Sequence, residues 1–279
     1  MTTPGPRTRL CGIVLHPAGH TRSPAMHNAA FEALGLDAVY LAFDVRPERL
    51  ADALAGARAL GIRQLAVSIP HKVEVMALVD EVDAVATRIG AVNTVTRVGD
   101  RLVGSNTDWI GVVRAIEQEG AQPLEGTRSV VLGAGGAARA VVYGLQSRGS
   151  EVTVLNRTEE RATRLARELG AAGSGPLERL GDLAHDVLVN TTSVGLGSDA
   201  SPVPAEALRG GALVMDAVYE PEHTALLRDA EARGARTLSG KWMLVHQAAE
   251  QLSAWTGEQA PVEVMAEAFD RAGRESAGG

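Results

Sequence analysis

The chain has 279 residues, 45% apolar and 22% charged, a balance that supports buried cores and fits two globular domains better than one. A net charge of −7 argues against nucleic acid and anionic membrane as partners, and the single cysteine, Cys11, excludes an internal disulfide and a multi-cysteine metal site. No apolar run has the length of a membrane span, and Met-Thr-Thr-Pro-Gly-Pro lacks the layout of a signal peptide, so a cytoplasmic protein without a metal is expected.

Residues 10–15 are an apolar run closed by Pro17 and Gly19, which predicts a strand. Ser23-Pro24 opens a helix, with serine as N-cap and proline in the first helical position. Met26, Ala29, Ala30, Ala33 and Leu34 form its apolar face and Gly35 ends it. A strand over 38–45, a helix from Pro47 to near Gly61, a strand over 64–69 broken by Pro70 and a mostly helical stretch over 73–89 follow. Residues 92–97 and 101–104 pair as a hairpin around Gly99-Asp100. Such alternation implies an α/β fold with a mainly parallel sheet.

A helix over 109–119 leads through the 120–127 loop into a second pattern. Val130-Val131-Leu132 is a fully apolar strand that runs into a glycine-rich turn and a helix. A strand at 151–156 precedes a helix capped by Thr158, with Glu159 and Glu160 in its first turn where the dipole favours them. Strands at 187–190, 212–218 and 236–238 come next, then a final helix over 243–256 with no local partner. The Gly-, Ser- and Ala-rich tail from Gly273 reads as disordered.

Gly133-x-Gly135-x-x-Ala138 fits the dinucleotide fingerprint. Gly133 makes the tight turn, Gly135 admits a pyrophosphate to the backbone, and Ala138 lets helix and strand pack closely. The helix start, with Ala134, Gly136 and Ala137, offers N–H groups to the anion. Alone, such a string also serves ordinary connections; after a buried strand and before a helix it points to a nucleotide. At the end of the second strand stands Asn156-Arg157-Thr158, where an NAD site usually has an acid. A guanidinium grips a 2′-phosphate through paired charge-assisted hydrogen bonds, and Thr158 can add a hydroxyl, so NADP is expected over NAD. The plain alternative makes Thr158 a helix cap and Arg157 a surface charge.

Polar segments fall at strand ends in the first part: His20-Thr21-Arg22-Ser23-Pro24, Ser68-Ile69-Pro70-His71-Lys72, Gly90-Ala91-Val92-Asn93-Thr94 and Asn106-Thr107-Asp108. Open α/β sheets bind ligands at such places. Together with the glycine turn, Asn156-Arg157-Thr158, Asn190-Thr191-Thr192-Ser193-Val194-Gly195, Asp216-Ala217-Val218-Tyr219, Gly240-Lys241-Trp242-Met243-Leu244 and Gln247-Ala248, they resemble the shikimate/quinate dehydrogenase family nearly end to end. The resemblance implies a substrate domain of residues 1–108 and 241–279 and a Rossmann-type NADP domain of residues 109–240, the last helix returning to the first domain. It implies a catalytic pair, Lys72 and Asp108, and a hydroxyl-rich pocket of Thr21, Ser23, Ser68, Asn93 and Gln247, with Tyr219 near the substrate carboxylate. Thr191, Val218 and Gly240 join the cofactor site, and the cofactor is expected across the cleft between domains. The implied reaction is the reversible NADP-dependent reduction of 3-dehydroshikimate to shikimate, in aromatic amino acid biosynthesis, by a monomer or homodimer.

Reducing a ketone needs a hydride from the nicotinamide and a proton for the oxygen. Lys72 is expected to donate that proton, while Asp108 orients it and holds a ring hydroxyl. Without the resemblance, Lys72 is a solvated lysine, although at a helix start its charge opposes the dipole. Asp108 and Ser23 are then helix caps, Asn93 a turn residue, Gln247 a surface residue and His71 structural. The chain departs from the family at Thr21, Ala66, Ser68 and Trp109, where Ser, Asn, Thr and Gly are common, so the pocket is expected to be reshaped. Quinate or aminoshikimate is the alternative substrate. A non-catalytic NADP-binding sensor is the alternative of another class, disfavoured by retention of both Lys72 and Asp108. A glutamyl-tRNA-reductase-like enzyme would need a nucleophilic cysteine, and Cys11 lies inside a predicted strand.

Overall fold

The computed structural model describes residues 4–19 and 21–277; His20, in the first polar segment, lies outside them. The chain forms two compact units, Met1–Thr107 with Gln247–Gly279 and Asp108–His246. No helix among the described residues is long and apolar enough to cross a membrane.

In the first unit the strands are β1 (Arg9–Leu15), β2 (Ala38–Asp44), β3 (Gln64–Val67), β4 (Glu81–Val82), β5 (Thr94–Val98) and β6 (Arg101–Ser105). They make one sheet in the order β2-β1-β3-β5-β6-β4. Its pairings β1–β2, β1–β3 and β4–β6 are parallel, and β3–β5 and β5–β6 antiparallel, so the hairpin around Gly99 sits within a mixed sheet. Helices α1 (Ser23–Ala33), α2 (Leu50–Ala59) and α3 (Ala84–Ile89) follow the order expected. Leu50, Leu54 and Ala57 of α2 bury against Val14, Leu65, Val67, Val95 and Leu102. Each fully buried leucine contributes about 1.5–3 kcal/mol.

Three expectations fail in this unit. Residues 73–89 are not one helix. A single 3₁₀ turn, Glu74–Ala77, gives way to β4 and then to α3, which Asp83 caps by accepting the Ala86 N–H at 2.6 Å. The break is tertiary: the Asp80 carboxylate accepts the Leu102 N–H at 2.7 Å and holds the chain beside β6. Nor is Ser23 the N-cap of α1. Arg22 holds that position, and the Ser23 N–H donates to the Thr21 hydroxyl at 3.3 Å. Finally, the tail is helical as far as it is described: α9 (Val262–Ala277) continues past Gly273 and packs on α1.

The second unit is a six-stranded sheet of β7 (Arg128–Leu132), β8 (Glu151–Leu155), β9 (Gly173–Gly175), β10 (Val187–Asn190), β11 (Leu213–Asp216) and β12 (Arg236–Leu238). The order is β12-β11-β10-β7-β8-β9, every pairing parallel. That is the doubly wound order, with its switch point at the carboxyl ends of β7 and β10. Both faces are covered. Val131 joins α4 (Asp108–Arg114), α5 (Gly136–Ser147) and α6 (Glu159–Leu169) on one side; Val130 and Leu132 join Leu180, Leu208 and α7 (Ala225–Ala232) on the other. This explains the unbroken apolar run in β7. Helix α4 ends in a π-turn, Ala115–Glu119.

Helix α8 (Gly240–Thr256) starts in the second unit, where Met243 enters the core, and its residues from Gln247 onward belong to the first. The final helix is therefore α9, which sequence reading missed although Met265, Ala266 and Phe269 are buried at helical spacing.

Candidate active site

In the first unit, parallel pairing of β1 with β3 brings the loops that follow them to one edge. The Ser68 N–H donates to the Val14 carbonyl at 3.0 Å, and the His16 N–H to the Ile69 carbonyl at 2.9 Å. Thr21 and Ser23 open α1 from one loop; Ser68 and Lys72 lie on the other. The turn that carries Lys72 is pinned twice. Buried His71 donates from Nε2 to the Val45 carbonyl at 2.7 Å, and the Lys72 carbonyl accepts the Val92 N–H at 2.8 Å. The half-buried Lys72 side chain thus projects from a fixed backbone.

Asn93 and Gln247 are brought together in the same unit. Asn93 Nδ2 donates to Thr107 Oγ1 at 3.0 Å and to Gln247 Oε1 at 3.3 Å. Asn93 Oδ1 accepts the Thr107 N–H and the Thr94 hydroxyl, both at 2.8 Å. Thr107 in turn donates to the Gln247 carbonyl at 3.1 Å, and Gln251 donates to Thr94 Oγ1 at 2.9 Å. A buried amide so fully engaged orients its neighbours rigidly. Gln247 is therefore no surface residue; it is 8% exposed.

The second unit carries the other expected residues. Gly133 has φ +113°, open to glycine alone, and a Cβ there would lie 2.6 Å from Thr191 Oγ1. That hydroxyl donates to the Leu132 carbonyl at 2.6 Å, which ties the β10 loop to the turn after β7. Gly135 is the extended N-cap of α5, and a Cβ on it would meet nothing within 4 Å. The turn therefore leaves open room at exposed Gly135, beside the N-terminus of α5, a cradle of the kind a pyrophosphate fills. Ala134, Gly136 and Ala137 line that same turn. Arg139 beside it pairs with Glu168 at 2.7 Å.

Asn156 directly follows β8 and donates from Nδ2 to the Thr158 carbonyl at 2.9 Å. Thr158 stands at the N-cap of α6 in extended backbone, but its hydroxyl caps no amide, against expectation. The Asn156 bond folds the turn instead. Arg157 is exposed and forms no ion pair among the described residues. A solvent-facing guanidinium between an amide and a hydroxyl suits a phosphate monoester.

One network escaped sequence reading. Asn190 and Asp216 face each other in register at the ends of β10 and β11, and Asn190 Nδ2 donates to Asp216 Oδ1 at 2.8 Å. Asp216 also accepts the Val218 N–H at 3.0 Å and the Thr224 hydroxyl at 2.7 Å. Burial pushes the Asp216 carboxyl above its ordinary range, against the pull of those bonds. The signal was available: a polar residue ends each of two buried apolar strands. The network shapes the loop to Val218 and half-buried Tyr219. Gly240 presses on it from α8, for a Cβ would lie 2.6 Å from the Ala217 carbonyl oxygen. Asp108 is buried in the first turn of α4, and the Trp109 ring packs edge-on against Tyr143 at 5.6 Å.

Cys11 is fully buried, and burial pushes its thiol up to about 12, which removes it as a nucleophile. No group of three or more His, Cys, Asp or Glu among the described residues is placed to hold a metal ion.

Residues 13–95 match the shikimate dehydrogenase substrate binding domain, residues 115–196 the shikimate/quinate 5-dehydrogenase family, and residues 240–268 the shikimate 5′-dehydrogenase C-terminal domain. The shikimate dehydrogenase (NADP(+)) of Thermococcus kodakarensis is 50% identical over 253 residues, 90% of this chain and 92% of its own. The corresponding enzyme of Natronomonas pharaonis is 49% identical over 260 residues, 92% of this chain and 97% of its own. Among solved structures, shikimate 5-dehydrogenase of Thermus thermophilus in complex with NADP(H) and shikimate has a TM-score of 0.89 at 41% identity. That match covers 95% of this chain and 100% of the other.

Proposed function

The chain belongs to the shikimate dehydrogenase family, and we propose that it interconverts 3-dehydroshikimate and shikimate with NADP through the residues described above. The observation that carries the cofactor assignment is the second unit's edge, an open glycine turn before α5 with Arg157 standing where an acid would select NAD. Gly133, Ala134, Gly135, Gly136 and Ala137 would hold the pyrophosphate, Asn156, Arg157 and Thr158 the 2′-phosphate, and Thr191, Val218 and Gly240 the nicotinamide side. When bound, NADPH supplies the hydride. Lys72 Nζ gives its proton to the ketone oxygen, and takes it back in the reverse direction. Asp108 orients Lys72 and accepts a ring hydroxyl. Thr21, Ser23, Ser68 and Gln247, the last steadied by Asn93, bind the remaining polar groups, and Tyr219 the carboxylate end.

Family membership sets aside the non-catalytic sensor. The enzyme acts in aromatic amino acid biosynthesis and belongs in the cytoplasm, a place consistent with its one buried, inert thiol.

The cofactor residues are tested by Arg157→Ala. A hydrogen bond to a charged group is worth about 1.5–3 kcal/mol, so KM for NADP should rise about 10- to 100-fold while KM for NAD changes little. Steady-state titration of both cofactors measures this. An unchanged NADP preference would assign the 2′-phosphate to other residues.

A further inference from the structure

Arg22 lies between two of the hydroxyls assigned to the substrate, yet the residue is only 8% exposed. A buried guanidinium needs partners, and α9 supplies them. The Arg22 Cζ sits 4.4 Å over the Phe269 ring, a cation–π contact. A Cβ at Gly273 would lie 2.5 Å from Arg22 Nη1 and 2.7 Å from Cζ, so the guanidinium fills the space this glycine leaves. Glycine in the middle of a helix is otherwise unfavourable. At the backbone, Arg22 is the N-cap of α1, its carbonyl accepting the Met26 N–H at 3.3 Å, and the hydroxyl of Thr21 accepts the Ser23 N–H. Fixing one side chain therefore fixes the peptide that carries both neighbours.

We propose that Arg22 is a positioning residue for substrate binding, clamped by Phe269 and Gly273 of α9 so that Thr21 and Ser23 present their hydroxyls in one geometry. The inference rests on the reading that Thr21 and Ser23 bind shikimate. It gives the C-terminal helix a role in substrate affinity, although none of its residues need touch the ligand.

Gly273→Ala tests this without breaking the fold. The clashing atoms are the far end of a flexible side chain, so the guanidinium can leave while α9 gains a better helix former. The expected result is a KM for shikimate raised about tenfold, the equivalent of one well-placed hydrogen bond. KM for NADP and kcat should stay within about twofold and Tm should be unchanged or higher. Arg22→Leu should raise the same KM, and the double variant should add little to either, as expected when two changes remove one interaction. Ser23→Ala provides the reference. If Ser23→Ala raises KM for shikimate and neither Gly273→Ala nor Arg22→Leu does, the clamp is wrong and the pocket stands. If Gly273→Ala lowers Tm and weakens both ligands alike, the glycine is merely structural and the clamp is again wrong. If Ser23→Ala leaves KM for shikimate unchanged, pocket and clamp fall together.

Discussion

A Lys72→Ala enzyme should oxidise shikimate about 10²- to 10⁴-fold more slowly in kcat, the range that a positioned acid or base contributes. The backbone gives reason to expect a clean loss. Lys72 is held through its carbonyl by Val92, and the neighbouring His71 is held by Val45; neither bond involves the lysine side chain. Truncation should therefore leave Tm and KM for NADP near their original values. Arg is the informative second substitution. A guanidinium keeps the positive charge but does not release its proton, so Lys72→Arg should stay slow if proton transfer is the role and recover if charge alone matters. Near-normal turnover by Lys72→Ala, with an unchanged pH profile, would move proton transfer to another group.

Acid should destabilise the first unit through His27, a residue with no part in the proposed chemistry. Its ring stacks on Tyr40 with centroids 4.1 Å apart, and both ring nitrogens are buried with no hydrogen-bond partner among the described residues. Burial alone pushes its pKa down from 6.5 to about 3. Above pH 6.5 the histidine is neutral in both folded and unfolded chains, and its contribution is complete. As pH falls from 6.5 toward 3 the unfolded chain takes up a proton that the folded chain refuses, so each pH unit removes about 1.4 kcal/mol. Across that window the loss approaches the lower end of a small domain's stability, roughly 5–15 kcal/mol. His185 and His246, also held below their ordinary range by burial, act in the same direction. Asp216, pushed upward, opposes them in the acid range. Urea unfolding at a series of pH values should show the slope, and His27→Leu should flatten it. An equally steep slope in His27→Leu would place the acid sensitivity elsewhere.

The second unit was the more legible half. The Val130-Val131-Leu132 run, the glycine turn and the Thr158 helix start are local signals, and each lies where the doubly wound sheet needs it. Two of the three failures in the first unit were decided by distant contacts, and the third by a neighbouring side chain. Residues 73–89 have helical periodicity, but the Asp80 bond to Leu102 breaks them. Ser23-Pro24 has the composition of a cap, but the Thr21 hydroxyl takes the Ser23 amide first. Residues 274–277 have the composition of a loose tail, yet they continue α9, which packs on α1, and Gly273 gives room to the Arg22 guanidinium. In the site, residue types were legible one by one. The Asn93–Gln247 bond and the Asn190–Asp216 pair were not, because each joins segments that only the fold brings together.

The proposed preference for shikimate has to accommodate the departures at Thr21, Ala66, Ser68 and Trp109. Thr21 and Ser68 keep a hydroxyl, while Ala66 is buried within β3 and the Trp109 ring is engaged by Tyr143. A polar site built for one set of hydroxyls discriminates strongly against a ligand that leaves one unpaired. The direct measurement is kcat/KM for nicotinamide reduction with shikimate, quinate and aminoshikimate, each with NADP and with NAD. Shikimate with NADP should exceed every other combination by about tenfold or more, the equivalent of one lost hydrogen bond. A higher value for quinate or aminoshikimate, or for NAD with any of them, would overturn the proposed substrate and cofactor.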